Sequence, residues 1–178
     1  MRNVLLLLGP SGTGKSTLAA AIAAKHQFEH FELDQWPDDG VDRLGLRRQW
    51  DDFLKLAKPK GLFEQLLSRA AIGGKSGAVI SAPSLLILSL AHLQAVSRRG
   101  ASTAILYGTA ADCISSFAER ETATGRQLPV EHWIANNQAS YVAFSRPEYA
   151  PYRLHVFGPQ AHCPQAALVA ALEQRLAA

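Results

Sequence analysis

Several common protein classes are excluded by what this chain has little of. There are two cysteines in 178 residues, Cys113 and Cys163. Thiols so far apart have no metal-ligand or redox spacing, so a disulfide-stapled scaffold is excluded and a reducing compartment fits. Aromatic residues make up 8% of the chain and the net charge is +3. The basic residues are scattered and form no aromatic-interleaved stripe, so no nucleic acid partner is expected. The six histidines are dispersed along the chain. No apolar run is long enough to span a bilayer, and no membrane association is expected. The N-terminal apolar run is too short for a signal h-region. No targeting segment is expected, and the location expected is cytoplasmic.

What is present is a chain that is 48% hydrophobic, enough for one compact domain over residues 1–178. Charge is unevenly placed. Eight of the fifteen acidic residues lie between Glu29 and Asp52, while arginines dominate the rest. The ordinary meaning of such charges is a solvated face.

One stretch stands apart. Gly9-Pro10-Ser11-Gly12-Thr13-Gly14-Lys15-Ser16 fits the pattern G-x-x-x-x-G-K-[ST] at every required position. Before it, Val4-Leu5-Leu6-Leu7-Leu8 reads as a buried strand. After it, the run from Thr17 to Lys25 reads as a helix. Strand, glycine-rich loop and helix N-terminus together make a phosphate cradle. Glycines let successive backbone N–H groups turn inward onto a phosphate. Lys15 is expected to reach the β- and γ-phosphates and the Ser16 hydroxyl to ligate Mg²⁺, with Thr17 at the α-phosphate. Gly9, Gly12, Thr13 and Gly14 complete the expected nucleotide cradle. The expected ligands are ATP and Mg²⁺. A second run, Gly73-Gly74-Lys75-Ser76-Gly77, looks similar but precedes a strand-like run, so a helix-to-strand turn is expected there.

Five short apolar runs read as strands: residues 4–8, 31–33, 78–81, 103–107 and 154–157. Most lack polar alternation, as expected for strands covered on both faces. Helical patterns lie between them, at residues 16–24, 44–57, 62–71, 85–96, 110–120, 130–144 and 164–176. This alternation predicts an α/β fold, a mainly parallel sheet with helices on both faces. Two insertions interrupt it, at about residues 36–71 and 119–129. The second is polar, contains Gly125, and is a candidate lid.

In element order the chain resembles small P-loop kinases of the shikimate and gluconate kinase type. The resemblance implies a three-layer α/β/α fold with a five-stranded parallel sheet ordered 2-3-1-4-5, an acceptor-binding insertion after strand two and an arginine-bearing lid after strand four. It implies transfer of the γ-phosphate of Mg-ATP to a hydroxyl of a small metabolite, in a monomer or homodimer. The Asp-x-Asp pair that such kinases carry after strand two is matched here by Glu32-Leu33-Asp34. That match gives Asp34 the acceptor and catalytic role and Glu32 an outer-sphere metal role. Alternation along a strand points the two the same way, toward the crevice at the strand ends. The alternative is an acidic turn.

The lid match is Arg120, near the adenine, and Arg126, over the phosphates, where a guanidinium fork stabilises the transferring phosphoryl group. The alternative for Arg120 is a pair with Glu121. Arg146, before Pro147-Glu148-Tyr149, resembles an acceptor-binding arginine, or else faces the dipole of a helix end. Arg43, Arg47 and Arg48 share the first insertion, where another acceptor-binding arginine is kept. Trp36 and Trp50 line the acceptor pocket or pack the insertion. The loop Gly158-Pro159-Gln160 is expected at the adenine. Where shikimate kinases carry a glycine run after strand three, this chain has Ser81-Ala82-Pro83-Ser84. A nucleotide or nucleoside kinase, and a nucleotide-binding regulator without an acceptor, stay open as alternatives.

Overall fold

The structure is a computed structural model that describes residues 3–33, 41–125, 130–158 and 162–178. Five strands form one sheet: β1 (Val4–Leu8), β2 (Phe28–Glu32), β3 (Gly77–Ser81), β4 (Ser102–Tyr107) and β5 (Arg153–His155). All pairings between them are parallel, and the order is β2-β3-β1-β4-β5. This is the expected three-layer architecture and strand order. β1 lies centrally because it is apolar at every position and buried at every position. Its period-two alternation feeds two cores. Val4, Leu6 and Leu8 face one layer, and Leu5 and Leu7 face the other.

Helices α1 (Lys15–His26) and α7 (Gln165–Ala177) cover the second face through Leu18, Ile22, Leu168 and Leu172. Their far ends are tied by Glu173, which accepts from Lys25 at 2.9 Å and lies 2.8 Å from His26 Nε2. The first face is covered by α2 (Arg47–Leu56), α3 (Lys60–Ile72) and α4 (Leu90–Arg98). They contribute Trp50, Phe53, Leu62, Leu66, Leu93 and Val96 to its core. Helices α5 (Ala110–Ala123) and α6 (Val130–Ser145) follow β4, and a 3-10 turn (Pro147–Tyr152) leads into β5. Among the described residues no helix is long and apolar enough to cross a membrane.

Several boundaries differ from the sequence-based expectation, and three have a visible cause. β2 begins at Phe28, because ladder pairing with β3 also takes in the polar Glu29 and His30. The helix expected to follow Pro83 starts only at Leu90, where the Ser89 side chain accepts from His92 N–H as an N-cap. The last strand ends at His155, and Phe157 instead forms an isolated antiparallel bridge with His162. The second glycine run is indeed a turn. Gly74 is left-handed (φ 71°), and Lys75 N–H closes onto Ala70 O at the end of α3.

Phe53 is 1% exposed and meets the His92 ring edge-on at 5.4 Å, joining α2 to α4. Phe53→Ala should therefore cost about 3–5 kcal/mol, read as a lower urea midpoint with an unchanged slope. An unshifted midpoint would mean that α2 lies outside the cooperative core.

Candidate functional site

The chain turns at the end of β1 in a way that only glycine permits at two points. Gly9 has φ 136°, and a Cβ there would lie 2.3 Å from Leu106 O on β4. Gly12 has φ 83°, and its Cβ would lie 2.4 Å from Cys113 O on α5. The loop is thus wedged between the ends of β4 and α5 by backbone contact. Within it, Thr13 Oγ1 donates to Pro10 O at 2.8 Å.

The loop encloses the Lys15 ammonium, which is 4% exposed. Nζ donates to Gly9 O and Pro10 O at 3.1 Å each and to Ser84 Oγ at 3.2 Å. α1 starts directly after the left-handed Gly14, with no side-chain cap and no acid in its first turn. Its first N–H groups and its positive dipole end are therefore offered to an anion. A cavity of about 260 Å³ opens there. From the loop and α1 it is lined by Gly12, Gly14, Lys15, Ser16 and Thr17. Its other walls are Ser116 and Arg120 of α5 and His162. Gly9 and Thr13 shape the loop and do not line this cavity.

Ser16 Oγ donates to Glu32 Oε1, so the two expected metal residues meet although they come from α1 and β2. A hydroxyl and a carboxylate beside a phosphate-binding loop form an oxygen donor set suited to Mg²⁺. Asp34, the second acid of the pair, and Arg126 of the lid lie outside the described residues, as do Trp36, Pro159 and Gln160. Residues 119–123 of the expected lid are the last turn of α5, followed by a turn at Gly125 (φ 66°).

Arg120 forms the pair with Glu121 that was its alternative reading. It lines the cavity, and its Nε donates to Glu121 Oε1 at 2.8 Å. Its guanidinium lies 5.1 Å from the centre of the Phe117 ring. Glu121 is buried, and its Oε2 has no partner among the described residues. Arg146 is exposed and heads the 3-10 turn. The helix-end role falls instead to Arg153, whose Nε donates to Phe144 O at 2.7 Å and whose Nη2 donates to Arg146 O. Tyr149 is a core residue that donates to Leu88 O at 2.9 Å. Arg43, Arg47 and Arg48 are exposed, with Arg47 Nε 3.8 Å from Asp42. Trp50 is buried and packs the insertion.

Sequence reasoning missed several residues around the loop. Ser116 Oγ donates to Gly12 O at 3.0 Å and lies 3.1 Å from His162 Nε2. Asn137 and Ser140 reach in from α6, where Ser11 N–H donates to Asn137 Oδ1 at 2.9 Å. Ser84 receives both Lys15 and the Ser11 hydroxyl (2.7 Å). Of these, Ser84 alone had a sequence signal, the departure from a glycine run after strand three. At the end of β4, Tyr107 stacks on Tyr141 at 5.5 Å. Burial, then a hydrogen bond with Tyr141, pushes its phenol up to about 12.

The loop, the uncapped helix and the 2-3-1-4-5 sheet define a P-loop nucleotide-binding fold. Residues 5–37, which take in most of β1, the loop, α1 and β2, match the family described as "ATPase family associated with various cellular activities (AAA)". No curated protein matches the sequence. Solved structures do match over nearly the whole chain. A gluconokinase from Sinorhizobium meliloti 1021 is 19% identical, covers 99% of this chain and 92% of its own, and has a TM-score of 0.56. A shikimate kinase from Acinetobacter baumannii, in complex with shikimate, is 16% identical (99% and 94% covered, TM-score 0.56). A shikimate kinase from Bacteroides thetaiotaomicron is 16% identical (100% of both chains, TM-score 0.59). The chain has the fold of a small P-loop kinase of the shikimate and gluconate kinase group.

Cys113 sits in α5 with its carbonyl against Gly12, and burial pushes its thiol up to about 11. It should stay unmodified by iodoacetamide at pH 8 in the folded protein while the partly exposed Cys163 reacts. Mass mapping showing Cys113 alkylated at a comparable rate would mean that the α5–loop contact opens readily.

Proposed function

We propose that the chain is a small-molecule kinase that moves the γ-phosphate of Mg-ATP to a hydroxyl of a small metabolite. The observation that carries this reading is the meeting of Lys15, Ser16 and Glu32 at the uncapped start of α1, beside a cavity whose far wall includes Arg120. The likeness in fold to gluconate and shikimate kinases supports it.

In this reading, backbone N–H groups of Gly12, Gly14, Lys15 and Ser16 hold the β-phosphate. Lys15 leaves at least one of its loop acceptors to bridge the β- and γ-oxygens, since an ammonium has three protons. Thr17 contacts the α-phosphate. Ser16 and Glu32 would hold Mg²⁺, which neutralises charge on the phosphate oxygens. Asp34 orients the acceptor hydroxyl and takes its proton. The transition state is loose, so positioning and electrostatics supply most of the catalysis. Residues 119–129 close as a lid. Arg126 and Arg120 then come to the nucleotide, and water is kept from the phosphoryl group. Arg146 and one of Arg43, Arg47 and Arg48 are offered to an anionic acceptor.

Acceptor-dependent ADP release, screened over sugars, sugar acids, cyclic polyol acids and nucleosides, tests the reading and separates it from a nucleoside kinase or an acceptor-less regulator. Lys15→Ala should abolish transfer with the melting temperature kept; near-normal turnover would sink the assignment. Asp34→Asn should leave ATP affinity nearly unchanged and cut kcat by about 100-fold or more. A loss confined to nucleotide affinity would make Asp34 a metal residue instead.

A further inference from the structure

A cluster of buried polar groups joins the loop tip to the segment after β3 and to α6. Ser11 and Ser84 are each 5% exposed, Asn137 is 2% and Ser140 is 0%. Ser11 Oγ donates to Ser84 Oγ, Ser140 Oγ donates to Ser84 O, and Ser11 N–H donates to Asn137 Oδ1. Lys15 Nζ also donates to Ser84 Oγ. Apolar side chains would dock α6 on the loop at lower desolvation cost, so four polar ones call for a further reason.

Asn137 supplies it. The Ser11 backbone N–H can only donate, which fixes the amide with Oδ1 toward the loop. Nδ2, on the same carbon, is buried and has no partner among the described residues. Native folds rarely bury an amide donor without a use for it. Through Ser11 and Ser84 the same cluster reaches the Lys15 ammonium, which lines the cavity. Donors gathered in this way, in a site screened from water, suit an anionic oxygen.

We propose that Asn137 is a recognition residue for the terminal phosphoryl group of a nucleoside triphosphate, its Nδ2 donating to a phosphoryl oxygen. Ser84 positions Lys15 and Ser11 for the same group. The proposal rests on the kinase reading above and extends it. Selection of the triphosphate over the diphosphate then depends on α6, more than a hundred residues beyond the loop. A donor satisfied by one ligand and stranded by the other discriminates between them.

The test uses the full chain with Mg²⁺, titrated with ADP and with a non-hydrolysable ATP analogue. With the uncharged Asn137→Ala required to show the same selectivity, because Asp adds a carboxylate, Asn137→Asp keeps an acceptor for Ser11 N–H and removes the unpartnered donor. It should weaken the triphosphate analogue by about tenfold or more while ADP stays within about threefold. Ser84→Ala should show the same selectivity at about fivefold, and it serves as the test if thermal melting shows that Asn137→Asp is unfolded. Equal weakening of both ligands would overturn the proposal and reduce the cluster to a strut for α6. Unchanged affinity for both would overturn it too. In either case a wild-type chain that binds both nucleotides leaves the kinase reading standing. A wild-type chain that binds neither overturns both.

Discussion

The Lys15 ammonium lies inside the protein, and the surrounding architecture serves to hold it there. A charge so far out of water needs several oriented acceptors. Two of them, Gly9 O and Pro10 O, belong to the loop itself and point inward because the loop curls around the side chain. That curl requires backbone to pass against backbone at Leu106 and Cys113, with no room for a Cβ at Gly9 or Gly12. The loop geometry therefore depends on the ends of β4 and α5. Those in turn depend on the central place of β1 between β3 and β4.

Each charged or polar group of the site already has a partner within the chain. Lys15 bonds loop carbonyls and Ser84, Ser16 bonds Glu32, and Arg120 bonds Glu121. A polyphosphate must exchange some of these contacts for its own, so its affinity is a difference between two sets of strong interactions. Among the described residues the exceptions are the N–H groups at the start of α1, which no side chain caps, Asn137 Nδ2 and one oxygen of Glu121. In the proposed kinase the β-phosphate would therefore be the anchor of the ligand, and the groups around it would set selectivity.

The donor half of the site was legible in the sequence because it is local. Strand, loop and helix are contiguous, and glycine spacing reports backbone geometry directly. The five strands and their parallel pairing were legible because apolar runs without alternation signal burial on both faces. Legibility failed where polar residues take part in regular structure. Glu29 and His30 hid the first half of β2, and residues 83–88 reach α4 without the helix that Pro83 suggested. Ser116, Asn137, Ser140 and His162 carry no motif. Their part in the site comes from contacts that span 46 to 126 residues in sequence, which no local pattern encodes.

The local sequence was enough to place a glycine-rich loop between β1 and α1 and to name the lysine it encloses and the hydroxyl that follows. These follow from short-range sterics and hydrogen bonding within eight residues. Tertiary structure alone decided what surrounds the cradle. Glu32 meets Ser16 because β2 runs parallel to β3 at the sheet edge. Ser84 meets Lys15 because β3 is the neighbour of β1. Asn137 reaches Ser11 because α6 packs back across the strand ends. Those contacts come from the order in which strands pair and helices dock. That order minimises exposed apolar surface over the whole chain, and no single segment carries it.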